Sequence, residues 1–276
     1  MSRIRLASTL LASTLLLPLP TLASDCAHGR GIDLALDLAG ARDVRFVVGP
    51  HDVEVRATDG SGGRVEGRAC ASSASALEGL QVTQARRGDT LVVTLERGGN
   101  WTLFGNRYAR LDVTATLPRG LPVGVEVGSG DAHVAGVASL DADVGSGDLQ
   151  ARDIVGAVAV SVGSGDVELE GIGELHVGSI GSGDLSATRV RGGVTVGSIG
   201  SGDFGLYGAG GDVEVGSIGS GDAGLRNIAG DVTIRSIGSG DVQATGVRGD
   251  LVVRSIGSGG VDHRGVGGRV DLPSGH

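Results

Sequence analysis

The stretch Gly200-Ser201-Gly202-Asp203 decides the fold, because the same tetrapeptide recurs at near-constant spacing through the C-terminal half of the chain. Successive copies lie 17 to 19 residues apart. A fixed period of this size indicates one supersecondary unit that is stacked on copies of itself. The aspartates of the series are Asp131, Asp148, Asp166, Asp184, Asp203, Asp222 and Asp241.

Each repeat contains two short segments with alternating apolar residues. The first follows the aspartate and carries apolar or small residues one, three and six positions after it, as in Val167, Leu169 and Ile172. The second carries a pair such as Val194 and Val196. Alternation of period two is typical of a strand with one buried face. Each repeat is therefore predicted to run strand, corner, strand, corner.

Glycine lies at both predicted corners, where it tolerates positive φ and lets neighbouring backbones approach. Strands of about five residues are expected to pair with their equivalents one coil away, at a spacing of about 4.8 Å. The sequence thus predicts an all-β fold, a right-handed parallel β-solenoid (β-helix) with coils of 17–19 residues. Later copies have the longer corner Ser198-Ile199-Gly200-Ser201-Gly202, where we expect a bulge with the isoleucine outside or beneath the turn.

The N-terminal residues 1–23 have the pattern of a secretory signal peptide. Arg3 and Arg5 precede an apolar run that is shorter than the roughly 20 residues of a membrane helix, and a small-x-small site ends at Ala23. Loss of the two arginines changes the formal net charge from −9 to −11. Such an acidic chain argues against nucleic acid and anionic membranes as partners. We expect an exported protein without a membrane span, periplasmic or extracellular in a Gram-negative bacterium.

Composition divides the remaining chain near residue 120. Residues 24–120 are expected to form a β-rich cap or irregular opening coils, with a short helix within 72–80, and residues 121–276 the repeat solenoid. The last copy has Gly260 in place of the aspartate, His263 at an apolar position and a terminal Pro273. Terminal repeats are commonly atypical because they must not offer an open strand edge.

The chain has two cysteines, Cys26 and Cys70. Export places them in an oxidising compartment, where a single pair is normally bridged, so we expect a Cys26–Cys70 disulfide. Lipidation of Cys26 is the alternative, but Asp25 stands where that reaction needs a small residue.

The segment 98–108 is the first candidate for recognition, because Trp101, Phe104 and Tyr108 lie on a glycine-bounded loop. Exposed aromatics on a loop can form a binding patch. The favoured interpretation is that they cover the open end of the solenoid core.

The aspartate column Asp131 to Asp241 is the second candidate. Carboxylates one coil apart repel each other, so something must offset their charge. Calcium bridging is one solution, since this cation prefers oxygen ligands. The favoured alternative is that each aspartate accepts backbone N–H groups of its own turn, while water screens the charge.

Catalysis is not expected, although some parallel β-helices cleave polysaccharides with clustered acids. Such sites need long loops that build a cleft, whereas these coils are short and uniform. The histidines share neither a metal-ligand spacing nor a coil position. They are His28, His51, His133, His176, His263 and His276.

The signal peptide, the β-rich segment and serial units such as Ser164-Gly165-Asp166-Val167 together resemble the bacterial "putative adhesin" β-strand-repeat family, a domain of unknown function. The resemblance covers about residues 30–272. It implies a non-enzymatic binding or structural module of the cell envelope, with no catalytic residues to transfer. The expected partner is an envelope protein or glycan, or a second rod joined end to end. The alternatives are a calcium-binding β-roll and, more remotely, a polysaccharide-active β-helix.

Overall fold

The computed structural model describes residues 26–98 and 108–273. The signal peptide predicted for residues 1–23 lies outside this part of the chain. The N-terminal elements are β1 (His28–Leu36), β2 (Asp43–Gly49), β3 (Asp52–Thr58), β4 (Gly63–Ala71), α1 (Ala74–Glu78), β5 (Leu80–Arg87), β6 (Thr90–Arg97) and β7 (Ala109–Pro118).

The repeat region follows as paired strands, two to a coil. They are β8 (Val123–Val127), β9 (Ala132–Ala135), β10 (Leu140–Val144), β11 (Leu149–Arg152), β12 (Ala157–Val162), β13 (Val167–Glu170), β14 (Glu174–Ile180), β15 (Leu185–Val190), β16 (Val194–Ile199), β17 (Phe204–Ala209), β18 (Val213–Ile218), β19 (Ala223–Ile228), β20 (Val232–Ile237), β21 (Val242–Val247), β22 (Leu251–Val253), β23 (Val261–Arg264) and β24 (Val270–Asp271).

These strands form two twelve-stranded sheets that face each other across one core. Sheet A has the order β1-β4-β7-β3-β9-β11-β13-β15-β17-β19-β21-β23, and sheet B the order β24-β22-β20-β18-β16-β14-β12-β10-β8-β2-β6-β5. From β8 onward every strand pairs in parallel with its equivalent one coil away, for example Phe204 with Ala223. The predicted parallel β-solenoid is confirmed, with about eight turns.

The core consists of the apolar positions that the repeat predicts. The residues one, three and six positions after each aspartate are buried, as are the second-strand pairs such as Val194 and Val196. The isoleucines of the longer corners lie on the inner side of the turn, one of the two placements expected, but the bulge lies within the strand and not at the corner. Ile180 and Ile199 are buried at the end of sheet B strands, and Ile180 aligns with Val162. The extra residue forms a bulge inside β14, between Val177 and Ile180, so the isoleucine keeps its inward side.

Close approach between coils and positive φ are two separate features of each repeat. At the second glycine of each G-S-G corner, an added Cβ would lie 1.7–1.9 Å from a backbone oxygen of the preceding coil, so only glycine lets the coils stack. None of these glycines has positive φ. Positive φ recurs at or near the end of the sheet A strands, five residues after each of the seven aspartates and after Gly260. Those residues are Gly136, Asp153, Gly171, Arg189, Gly208, Asn227, Gly246 and Gly265.

The N-terminal segment extends the same two sheets. Strands β2 and β3 form an opening coil that pairs in parallel with β8 and β9, while β6 and β7 lie on its other side. Antiparallel strands β5 and β4 then cover β6 and β7, and β1 pairs antiparallel with β4. Helix α1, which begins where Ser73 Oγ accepts the N–H of Ala76, falls within the predicted 72–80 range. One hydrophobic cluster runs from Leu36 to Val253.

Candidate functional site

The seven predicted aspartates occupy one edge of the rod, in the corner that leads from sheet B into sheet A. Each is exposed, because the backbone alternates between inward and outward positions and the aspartate lies between a buried glycine and a buried core residue. Each carboxylate accepts the backbone N–H of the corresponding residue in the next coil through Oδ1, at 2.7–3.2 Å. The column is therefore a continuous hydrogen-bonded ladder, which we call the aspartate ladder.

This geometry differs from the turn that we expected, in which each aspartate would accept N–H groups of its own corner. The parallel register explains the difference. The N–H of Asp222 points along the stack toward the preceding coil, where the side chain of Asp203 reaches it at 2.9 Å. The peptide oxygen of Asp222 in turn accepts the N–H of Phe204 at 2.9 Å. The carboxylate bond thus adds to the backbone bonds that join neighbouring corners, such as the bond from the Ser220 N–H to the Gly200 oxygen at 2.8 Å.

The structure adds a first member that sequence reasoning missed. Asp52 Oδ1 accepts the N–H of Asp131 at 3.1 Å, so the ladder begins in the opening coil. There the corner is Gly49-Pro50-His51-Asp52 instead of G-S-G-D. The spacing of three positions from Gly49 to Asp52, equal to that from Gly128 to Asp131, was the available signal, but the changed central residues hid it.

A second ladder lies at the opposite corner. Asp212 and Asp231 accept the N–H of Asp231 and Asp250 at 2.8 and 2.7 Å, and Asp250 accepts the N–H of Arg269 at 2.7 Å. The Arg269 guanidinium also binds Asp250 Oδ2 at 2.8 Å. The Arg269 backbone N–H and guanidinium lower the pKa of Asp250, and the carboxylate raises the pKa of Arg269. The repeated G-D-[VL] after a 19-residue interval was its sequence signal.

The aspartate ladder of the first corner leaves the Oδ2 atom of each carboxylate available to a ligand or cation. Within residues 26–98 and 108–273, no group of three or more His, Cys, Asp and Glu side chains converges as a metal site requires. His133, His176 and His263 lie exposed on outer faces, whereas His51 is fully buried. The carboxylates can accept hydrogen bonds from a polar ligand laid along the edge.

His51 is a second residue that sequence reasoning did not single out. Its Nδ1 accepts the N–H of Leu111 at 3.1 Å, and its Nε2 has no hydrogen-bond partner among the described residues. Burial, with a smaller contribution from the charge of Arg97, lowers the pKa of His51 from 6.5 to about 4. This histidine replaces the second corner glycine in the opening coil.

The predicted Cys26–Cys70 disulfide is present and joins the start of β1 to the end of β4, with the Cα atoms 5.6 Å apart. Of the predicted recognition loop, Trp101 and Phe104 lie outside the described residues. Tyr108 is 39% exposed, and its hydroxyl accepts the N–H of Ala27 at 3.0 Å. Tyr108 is thereby held next to the disulfide at the capped end of the rod.

The outer face of sheet A carries polar and charged side chains over its first coils. A shallow cavity of about 190 Å³ crosses its first coils and is lined by side chains that include His133, Gln150 and Arg152. At its border Glu170 pairs with Arg189 at 2.6 Å. These side chains can form hydrogen bonds and ion pairs with a polar ligand. No described helix is long and apolar enough to cross a membrane.

Several solved structures are similar to this chain at low sequence identity. A putative adhesin from Bacteroides fragilis is 16% identical, with a TM-score of 0.44, and the match covers 88% of this chain and 97% of that one. A putative lipid binding protein from Parabacteroides distasonis is 14% identical, with a TM-score of 0.45 and coverage of 89% and 98%. A putative adhesin from the same species is 14% identical, with a TM-score of 0.43 and coverage of 89% and 97%.

No curated protein matches the chain. The family model described as Toastrack DUF4097 matches residues 46–261, from within β2 of the opening coil through the cap strands β4 to β7 and the repeats up to the start of β23. This match covers well over half of the chain and extends across both sheets. The chain therefore belongs to the Toastrack DUF4097 family.

Proposed function

We propose that this chain is an exported, non-enzymatic β-solenoid that acts as an adhesin-like binding or structural module of the bacterial cell envelope. The aspartate ladder is the observation that carries the proposal. It ties every coil to the next outside the strand ladders, which favours a stiff rod. A stiff rod holds the polar outer faces of its sheets in fixed positions for binding.

The environment of the acidic side chains supports a role without catalysis. General acid and base chemistry needs two groups whose surroundings push their pKa values apart. The ladder aspartates instead repeat one environment, each exposed and each bound to the next coil through Oδ1. They are better suited to structure and hydrogen bonding than to a reaction at one coil.

Export rests on the sequence of residues 1–23 and is tested by fractionation. The full chain and a variant without residues 2–23 are expressed in a Gram-negative host. We expect the full chain, shortened at its N-terminus, in the periplasm or medium, and the variant in the cytoplasm. An unprocessed full chain in the cytoplasm contradicts the export part of the proposal.

Binding is tested by co-sedimentation with purified cell envelopes. The exported protein should sediment with envelopes and remain soluble without them. A Trp101→Ala/Phe104→Ala double variant separates the two candidate surfaces. Loss of binding in this variant assigns recognition to the loop, and unchanged binding assigns it to the solenoid faces. If the parent protein does not sediment, the binding module is ruled out and only the structural role remains.

A further inference from the structure

The two ends of the rod differ in how their edge strands are covered. At the N-terminal end, Arg30 of β1 donates a hydrogen bond to the backbone oxygen of Leu80 at the start of β5. Gln84 of β5 donates to the backbone oxygen of Ala35 in β1 at 2.9 Å. These bonds cross from sheet A to sheet B and seal that end. At the other end, which we call the open end, β23 and β24 are the terminal strands of the two sheets.

The open end exposes apolar side chains at core positions. Val270 aligns with the fully buried Leu251 of the preceding coil, yet 39% of its surface is accessible. Val261 aligns with the buried Val242 and is itself only partly buried. The same holds for Ile256, Val266 and Leu272. Covering this apolar surface with another protein surface is therefore favourable.

The backbone of β23 directs hydrogen-bonding groups out of the open end. In the preceding repeats, the residue after the aspartate donates its N–H to the next coil, as Val242 does to the Gly260 oxygen at 3.0 Å. Val261 takes the position of Val242 in the last coil. Because bonding directions alternate along a strand, the N–H and C=O groups of Val261 and His263 point away from the rod. Such an edge can pair with another strand.

The charges of β23 complement those of a reversed copy of the same strand. Asp262 and Arg264 lie on the outer face, on either side of His263. Their register partners in β21, Gln243 and Thr245, are uncharged, and within the described residues neither side chain forms an ion pair. In an antiparallel pair centred on His263, Asp262 of each copy lies opposite Arg264 of the other. These are the non-hydrogen-bonded positions, where side chains approach most closely and opposite charges stabilise the pair.

We propose that the open end binds a second copy of this chain, with the two β23 strands paired antiparallel about a twofold axis at His263. The two His263 side chains then face each other, and neutral imidazoles can share a hydrogen bond because each has one donor and one acceptor nitrogen. The contact is isologous, so two copies satisfy it and form a closed dimer instead of a fibre. The sealed N-terminal end favours this arrangement over head-to-tail stacking. This partner specifies the structural part of the role proposed above and rests on it.

Sedimentation velocity of the purified protein over a concentration series tests the proposal. Asp262→Arg leaves only positive charges on the outer face of β23, and Arg264→Asp leaves only negative ones. Each variant alone should therefore dimerise roughly tenfold or more weakly than the parent protein. Mixed in equal amounts, the two variants become complementary and should form a mixed dimer. The double exchange Asp262→Arg/Arg264→Asp restores both ion pairs and should also dimerise.

Arg226→Asp is the control for a change of charge, because Arg226 lies exposed on β19 in the middle of sheet A. This variant should dimerise as the parent protein does. Thermal unfolding of each variant shows whether it is folded, and a mixed dimer shows that both single variants are competent to pair.

Three results overturn the proposal. The first is a parent protein that stays monomeric at every concentration or forms assemblies larger than a dimer. The second is a dimer that neither single charge reversal weakens, and the third is a pair of folded single variants that do not associate when mixed. A monomeric parent protein that still sediments with cell envelopes rules out this dimer while the binding role stands.

Discussion

The Oδ1 atom of Asp203 accepts the backbone N–H of Asp222 at 2.9 Å, one coil and 19 residues further along the chain. The carboxylate here replaces the peptide oxygen that would continue a parallel strand ladder. The bond lies in a corner, where the backbone turns from one sheet to the other and strand pairing stops. Backbone oxygens accept the N–H groups of Gly219, Ser220 and Gly221 in this corner, and the carboxylate accepts the remaining one, that of Asp222. The added bond comes at the cost of placing like charges in one row.

The first prediction concerns this bond. Asp203→Ala removes the acceptor and should lower the free energy of unfolding by about 1 kcal/mol, the usual net value of one hydrogen bond. Asp203→Asn keeps an Oδ1 acceptor and relieves repulsion from Asp184 and Asp222, so its stability should stay within about 0.5 kcal/mol of the parent. Urea unfolding in low and high salt measures both effects.

The same pair of substitutions at Asp166 serves as the control, because that residue makes the equivalent bond to Asp184 at 3.1 Å. A structural ladder predicts similar losses at both coils. A large effect at one coil alone, or an asparagine variant as unstable as the alanine variant, would contradict the ladder as the source of stability.

Calcium gives a second, separate prediction for the ladder. Calcium takes six to eight oxygen ligands, whereas each coil offers one carboxylate whose Oδ1 already binds an N–H. We therefore expect millimolar calcium to leave the melting temperature within the shift that the same ionic strength of sodium chloride produces. A larger rise with calcium, lost in an Asp203→Asn/Asp222→Asn variant, would support the calcium-roll alternative instead.

The third prediction contrasts two glycines three residues apart. A Cβ at Gly202 would lie 1.8 Å from the Gly183 oxygen, and Gly183 is fixed in the stacked corner. Gly202→Ala should therefore destabilise the protein by about 3 kcal/mol or more, since backbone must move. Gly205→Ala has open space and should stabilise it by about 0.5–1 kcal/mol. Equal unfolding midpoints for the two variants would show that coil spacing is more adaptable than the structure indicates.

The repeat core could be predicted because both strand positions recur with every aspartate. The positive-φ column could not, since five residues after the aspartate the chain alternates between glycine and Asp153, Arg189 or Asn227. A side-chain identity that varies this much does not reveal a shared backbone conformation. The place of β2 and β3 was also hidden, because they pair with β8 and β9 about 80 residues later and no local pattern encodes that pairing.

The candidate sites were likewise predictable from the sequence only in part. The aspartate edge was predictable from spacing, but its bonding direction depends on which atoms of the next coil lie within reach. The glycines that the stack requires could not be identified by counting, because this chain has 53 glycines. Gly205 and Gly224 differ from the glycines that the stack requires in having open space above them, which the sequence does not reveal.

The last prediction concerns His51 and acid. Because burial lowers its pKa from 6.5 to about 4, the folded chain binds this proton more weakly than the unfolded chain does. The stability that His51 contributes as a neutral residue is present above about pH 6.5 and is lost as the pH falls toward 4. The shift corresponds to a loss of about 2.5 kcal/mol between pH 7.5 and pH 4.5.

His51→Gln tests this assignment, because glutamine can accept the Leu111 N–H without titrating. The difference in unfolding free energy between parent and variant should therefore change by about 2.5 kcal/mol in favour of the variant on going from pH 7.5 to pH 4.5. His133→Gln is the control, since His133 lies exposed on sheet A and should leave the parent's pH dependence unchanged. If parent and His51→Gln lose stability in parallel, the acid sensitivity comes from the carboxylates and His51 titrates normally.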